Sequence, residues 1–157
     1  MDRKSEPDTG AILAALERAG GARIPDRRPP QPPDALRGFI KSAWTAGETY
    51  AALAKTIGQM GRALATLARE ELDTERRLQA EYLARTGDTL ALPPNPPRRG
   101  SALGALTYAR MAELENAEKY DAAAGSFPEL AELFTGLAAR ERQHALVLGQ
   151  LLHRAVE

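Results

Sequence analysis

The chain contains no cysteine, which excludes disulfides, zinc–thiolate sites and iron–sulfur clusters. Aromatic residues make up only 5% of its 157 positions, so stacking on nucleic-acid bases is not expected. Net charge is also missing. With 21 basic against 21 acidic residues, nothing draws the chain electrostatically to nucleic acid or to an anionic membrane. No apolar run approaches the roughly 20 residues of a membrane span, and the N-terminal residues lack the apolar core of a signal peptide. The expectation is a soluble, cytoplasmic protein. β-Branched residues are few, while Ala, Leu, Glu and Arg are abundant, a composition that favours helix throughout. The length fits one domain of four helices of about 20 residues with a short extension.

Two segments superimpose without a gap at an offset of 70 residues, 34–83 over 104–153. Ala35, Leu36, Glu48, Tyr50, Ala52, Ala54, Leu67, Ala68, Glu71 and Leu78 recur as Ala105, Leu106, Glu118, Tyr120, Ala122, Ala124, Leu137, Ala138, Glu141 and Leu148. A helix–turn–helix unit used twice predicts an all-α four-helix bundle over 34–157. Residues 1–33 form an N-terminal extension. In it Asp8-Thr9-Gly10 could cap a short helix ending near Ala19, a disordered tail being the slightly favoured alternative, and the run from Pro25 to Pro33 reads as an extended strap.

The first bundle helix is expected from Pro33-Asp34 to about Ile57, with Leu36, Phe39, Ile40, Ala43, Gly47, Tyr50, Ala54 and Ile57 inward. The second carries Leu64, Leu67, Glu71, Thr74, Leu78 and Tyr82, and Gly87 ends it. A proline-rich crossover spans 88–100. Ser101 caps the third helix, whose inward line is Leu103, Leu106, Ala109, Glu113, Ala117 and Tyr120. Pro128 opens the fourth, with Leu130, Phe134, Leu137, Glu141, His144, Leu148 and Leu151 alternating by threes and fours, the spacing of a bundle seam.

Four of these inward positions are ionisable. Glu71 falls between Leu67 and Leu78, Glu113 between Leu106 and Tyr120, and the pair Glu141 and His144 between Leu137 and Leu148. Buried alone, each would be expensive, so each needs a partner. A Glu and a Glu-x-x-His contributed by facing helices is how carboxylate-bridged metal sites are built inside bundles. Tyr50 and Tyr120 read as core aromatics with a hydrogen-bonded hydroxyl, Glu48 and Glu118 as solvated, and His153 as a surface residue near a helix C-terminus.

The arrangement resembles the ferritin-like superfamily, and within it the rubrerythrin-type domains. The covering segments are FIKSAWTAGETYAALA (39–54), LATLAREELDTERRLQAEYLARTG (64–87), YARMAELENAEKYDAAAG (108–125) and LFTGLAARERQHALVLGQLL (133–152). The family pattern places a Glu seven residues before the helix-one Tyr, Glu-x-x-His on helix two, a Glu seven before the helix-three Tyr, and Glu-x-x-His on helix four. The second half matches in full, with Glu113 before Tyr120, then Glu141 and His144. The first half does not. Ala43 stands at the helix-one Glu position and Thr74 at the helix-two His position.

The resemblance therefore implies one divalent ion rather than a di-iron centre, held by Glu113, Glu141 and His144 with Glu71 as a bridging carboxylate. Iron or manganese suits this donor set, zinc less well. No turnover is assigned, because the ligands of one ion are missing and no cysteine pair supplies an electron-entry module. The alternative is a metal-free structural or protein-interaction bundle, in which the same groups form a buried ion-pair network. The expected partners are a metal ion and, should the bundle pair as a homodimer, a second copy, with no nucleic acid and no membrane.

Overall fold

Four helices fall between the glycine and proline punctuation marks of the chain. The computed structural model describes Pro29, residues 31–94 and residues 100–155. Helix α1 spans Pro32–Thr56, α2 Gly61–Thr86, α3 Ala102–Ser126 and α4 Ala131–Arg154. Single 3₁₀ turns, Gly58–Met60 and Pro128–Leu130, join α1 to α2 and α3 to α4. The described residues contain no strand. No described helix is long and apolar enough to cross a membrane. The short helix expected near 8–19, most of the proline strap and the crossover residues 95–99 lie outside the described residues.

Each helix end has a local cause. The Asp34 carboxylate accepts a hydrogen bond from the Gln31 backbone N–H at 3.4 Å, and two prolines occupy the first turn of α1, where a missing N–H is harmless. The helix thus begins one residue earlier than the Pro33-Asp34 boundary suggested. Gly87 stops α2 at φ 77°, a left-handed conformation open to glycine, and its N–H reaches Leu83 O at 2.8 Å. Ser101 Oγ accepts the Gly104 N–H at 3.1 Å and caps α3. The two hairpin turns close alike, with Ile57 N–H on Leu53 O at 3.0 Å and Phe127 N–H on Ala123 O at 2.8 Å.

The bounds of α1, the first 3₁₀ turn and the start of α2 recur in the second hairpin at an offset of 70 residues. α1 packs along α2 and α3 along α4, and side chains from both hairpins meet in a shared interior. That interior has two apolar clusters. One contains Leu36, Phe39, Leu78, Tyr120 and Phe134, with Phe39 stacked on Tyr120 at 4.1 Å between ring centroids. The other contains Tyr50, Leu64, Leu67, Leu106 and Leu148. Each fully buried Leu or Phe contributes about 1.5–3 kcal/mol, so the clusters hold the hairpins together. Between them lies the polar middle of the molecule. Gln79 ties the crossover down, donating from Nε2 to Leu90 O at 2.8 Å and accepting the Leu90 N–H at 2.9 Å.

Three apolar assignments differ from the sequence pattern. Leu53 is buried in α1, while Ala54 and Ile57 are half-buried as that helix runs into its turn. Leu103, in the first turn of α3, is 44% exposed, because the inward line there begins at Leu106. Tyr108, Met111 and Leu114 on α3 are also exposed.

Two glycines give opposite expectations. A Cβ on Gly61 would sit 2.7 Å from the backbone oxygen of Ala54, a contact the first hairpin can relieve only by shifting backbone. Gly136 is inside α4 and has open space around it. Gly61→Ala should destabilise by roughly 1–3 kcal/mol. Gly136→Ala should stabilise by about 1 kcal/mol through helix propensity. Thermal or urea unfolding of both variants checks the pair, and a stable Gly61→Ala would mean the hairpin turn is looser than described.

Candidate metal centre

Three helices deliver ionisable side chains to the middle of the interior. α2 supplies Glu71, α3 supplies Glu113, and α4 supplies Glu141 and His144 from one face, because residues three apart lie over one another on a helix. All four are only 1–2% exposed. His144 Nδ1 lies 2.7 Å from Glu71 Oε1 and 3.9 Å from Glu113 Oε2. Donor atoms of Glu71, Glu113 and His144 lie within 4.8 Å of one another, a group that could hold a metal ion. Glu141 is buried beside them but is not part of that tight trio. Ala43 and Thr74, which correspond to Glu113 and His144 at the 70-residue offset, are buried as well.

The supporting contacts are uneven. The Tyr50 hydroxyl donates to Glu113 Oε1, while Glu113 Oε2 is buried with no hydrogen-bond partner. An orphaned carboxylate oxygen in an apolar interior is costly, and its place beside the imidazole is where a cation would be attracted. Outside the trio, His144 Nε2 meets Glu70 Oε2 at 2.8 Å. On the other side, Arg140 Nη1 donates to Thr74 Oγ1 at 3.1 Å and lies 3.6 Å from Asp73 Oδ2.

Neither Glu70 nor Arg140 stands out in the sequence as a site residue. Both immediately precede the seam glutamates, Glu71 and Glu141, and occupy equivalent places at the 70-residue offset. That correspondence is the signal that singles them out.

Burial dominates the electrostatics. It pushes the Glu141 carboxyl up to about 12, helped by a hydrogen bond between the Glu141 and Glu113 carboxyls and by the charges of Glu71 and Glu113, with Arg140 pulling the other way. Burial also raises Glu71, although its hydrogen bond to His144 opposes the shift. For His144, burial favours the neutral ring. The bond to Glu71, the charges of Glu71 and Glu113 and the contact with Glu70 outweigh it and raise the imidazole. The Tyr50 and Tyr120 hydroxyls are raised by burial and by the same carboxylates, which keeps them protonated donors. Without a cation, then, the cluster holds itself together by retaining protons.

No protein-family model, no curated protein and no solved structure matches the chain.

The proton retention fixes a sign for stability against pH. Glu141 holds a proton in the folded state that the unfolded chain releases above about 4.5, so its contribution is complete below that pH and is lost as pH rises, and Glu71, which shares a proton with His144, is raised in the same direction. The raised His144 acts the same way, complete below about 6.5 and lost through its higher folded value. In the presence of a chelator, the melting temperature should therefore rise as pH is lowered from 8 to about 5.5. The slope should approach about 1.4 kcal/mol per pH unit for each proton taken up. Glu141→Gln, neutral at every pH, should flatten the slope by about one proton and stabilise the chelated protein at pH 7. A melting temperature that falls on acidification in this range would contradict the assignment.

Proposed function

We propose that the chain is a ferritin-like bundle of the rubrerythrin type that binds a single divalent metal ion, iron or manganese in preference to zinc. Glu71, Glu113 and His144 form the core of the donor set and Glu141 completes it. The observation that carries this reading is the buried convergence of Glu71, Glu113 and His144 from three different helices, with Glu113 Oε2 left unpartnered among them. Carboxylate oxygens with one imidazole nitrogen suit these hard-to-borderline ions. An ion with bonds of roughly 2.1 Å needs neighbouring donors about 3 Å apart, so Glu71 and His144, at 2.7 Å, are close to the required separation, and Glu113, at 3.9 Å from His144, would have to draw in. The metal, once bound, would supply Lewis acidity or redox capacity. The chain's own part is to exclude water, present one nitrogen and several oxygens, and hold the Glu113 carboxylate through the Tyr50 hydroxyl.

The recurrence of helix bounds at 70 residues, together with Glu113 and Tyr120 on α3 and Glu141 and His144 on α4, supports the rubrerythrin-type assignment. Ala43 and Thr74 limit it. With no ionisable group at either position, the first half has too few donors for a second ion, and no oxygen or peroxide turnover is included in the proposal.

A metal-free structural bundle is the second reading. It is favoured by the full satisfaction of His144, whose two ring nitrogens already meet Glu71 and Glu70. The two readings separate on metal-linked stability. An ion bound only by the folded state stabilises by about 2.7 kcal/mol at 100 times its dissociation constant. Chelator should lower the melting temperature of protein purified without added metal, and elemental analysis should find one ion per chain. His144→Ala should remove the chelator effect. Melting curves indifferent to chelator and to added iron, manganese or zinc would leave the structural reading.

A further inference from the structure

Positions 70 and 140 correspond at the 70-residue offset, and each reaches across the interior to the other hairpin. They carry opposite charges. Glu70 Oε2 lies on His144 Nε2 at 2.8 Å, and Arg140 Nη1 lies on Thr74 Oγ1 at 3.1 Å. Positions 144 and 74 correspond in the same way. On one side an acid stands behind a histidine, and on the other a guanidinium stands behind a threonine.

We propose that Arg140 is a selectivity residue that takes the electrostatic place of a second metal ion and confines the centre to one. This inference rests on the metal-binding reading of the same site. The acid behind His144 orients the ring, accepting from Nε2–H, so that with an ion bound Nδ1 would be free to turn its lone pair to the metal instead of sharing a proton with Glu71. Thr74 offers no such nitrogen, and the guanidinium bonded to its hydroxyl puts a permanent positive charge where an incoming cation would have to be desolvated.

The charges around the centre fit one ion. Glu71, Glu113 and Glu141 bring three carboxylates, and a single divalent ion with Arg140 neutralises all three when His144 is neutral. The exposure of Arg140 supports this role. The side chain is 30% exposed, and Asp73 lies on its outer side at 3.6 Å, so the charge is held at the boundary of the interior without the full burden of burial.

The test uses the full-length chain stripped with chelator and titrated with manganese(II), with bound ions counted by elemental analysis. Wild type should bind one ion. Arg140→Gln, which removes the charge but keeps a hydrogen-bonding side chain, should bind that ion about tenfold more tightly or better, while Arg140→Lys should stay near wild type. The paired substitutions Ala43→Glu and Thr74→His restore the missing ligands, yet with Arg140 in place the count should remain one. Adding Arg140→Glu, which reproduces the charge at Glu70, should raise it to two. Circular dichroism establishes that each variant is helical. If the multiple variants do not fold, the Arg140→Gln and Arg140→Lys affinities decide alone.

Wild type that binds no ion overturns the reading of the site, and this inference with it. One ion in wild type with unchanged affinity in Arg140→Gln, or two ions in the Ala43→Glu, Thr74→His protein while Arg140 remains, overturns only the role given to Arg140.

Discussion

Three carboxylates and an imidazole lie between two apolar clusters, all at 1–2% exposure, and the rest of the interior is arranged around that burden. Desolvating an ionised carboxylate costs several kcal/mol even after relaxation, and three ionised together would repel one another strongly. The fold moderates the cost by distributing it. Glu141 keeps its proton, Glu71 shares one with His144, Glu113 takes the Tyr50 hydroxyl on one oxygen, and Arg140 lends charge from the boundary. Every member depends on the low dielectric that the flanking Leu and Phe clusters create. Remove that environment and the raised carboxyls return to ordinary values.

Much of this was legible in the chain. The α4 line from Leu130 to Leu151 alternates by threes and fours without a break, and each of its seven residues is buried. A pattern that regular leaves one orientation, so it carries Glu141 and His144 inward with it. Glu71 was harder, since it sits in the charged run Arg69-Glu70-Glu71-Leu72-Asp73, and only its register with Leu67 and Leu78 distinguished it from Glu70. Helix α3 was hardest. It is rich in Ala, and its apolar residues are spread around its circumference, so Leu103 looked inward while Tyr108 and Met111 lie outside.

What the pattern could not carry is contact across hairpins. Periodicity reports which face of a helix is inward, whereas the partner of a long side chain depends on how two faces are set against each other. Glu70 is half-exposed, with 47% of its side chain accessible, yet one oxygen reaches a buried histidine on another helix. Arg140 likewise runs from the surface to Thr74. Both have long stems that let a charged head reach a boundary position from a helix flank. By the helix pattern they are surface residues. Only the offset of 70, which pairs them with each other and Thr74 with His144, hints that they belong together.

The asymmetry between the two halves bears on why the polar cluster is there. Ala43 and Thr74 show that this interior accepts small side chains at positions matching Glu113 and His144, both of them buried. Replacing a buried charged group with a packed apolar one is often neutral or stabilising. A chain needing only a core could therefore simplify the second half as the first is simplified. Instead the second half retains two carboxylates and an imidazole, with Glu113 Oε2 unpartnered. Proton retention offsets part of the penalty but gives no reason to incur it. An ion would, because it would satisfy the orphan oxygen, hold Glu141 ionised and turn mutual repulsion into shared attraction. The first hairpin, which gives only Glu71 to the cluster, then becomes intelligible as well. Ala43 and Thr74 fill its interior with small side chains, and Arg140, beside Thr74, would with one ion bound balance the three carboxylates.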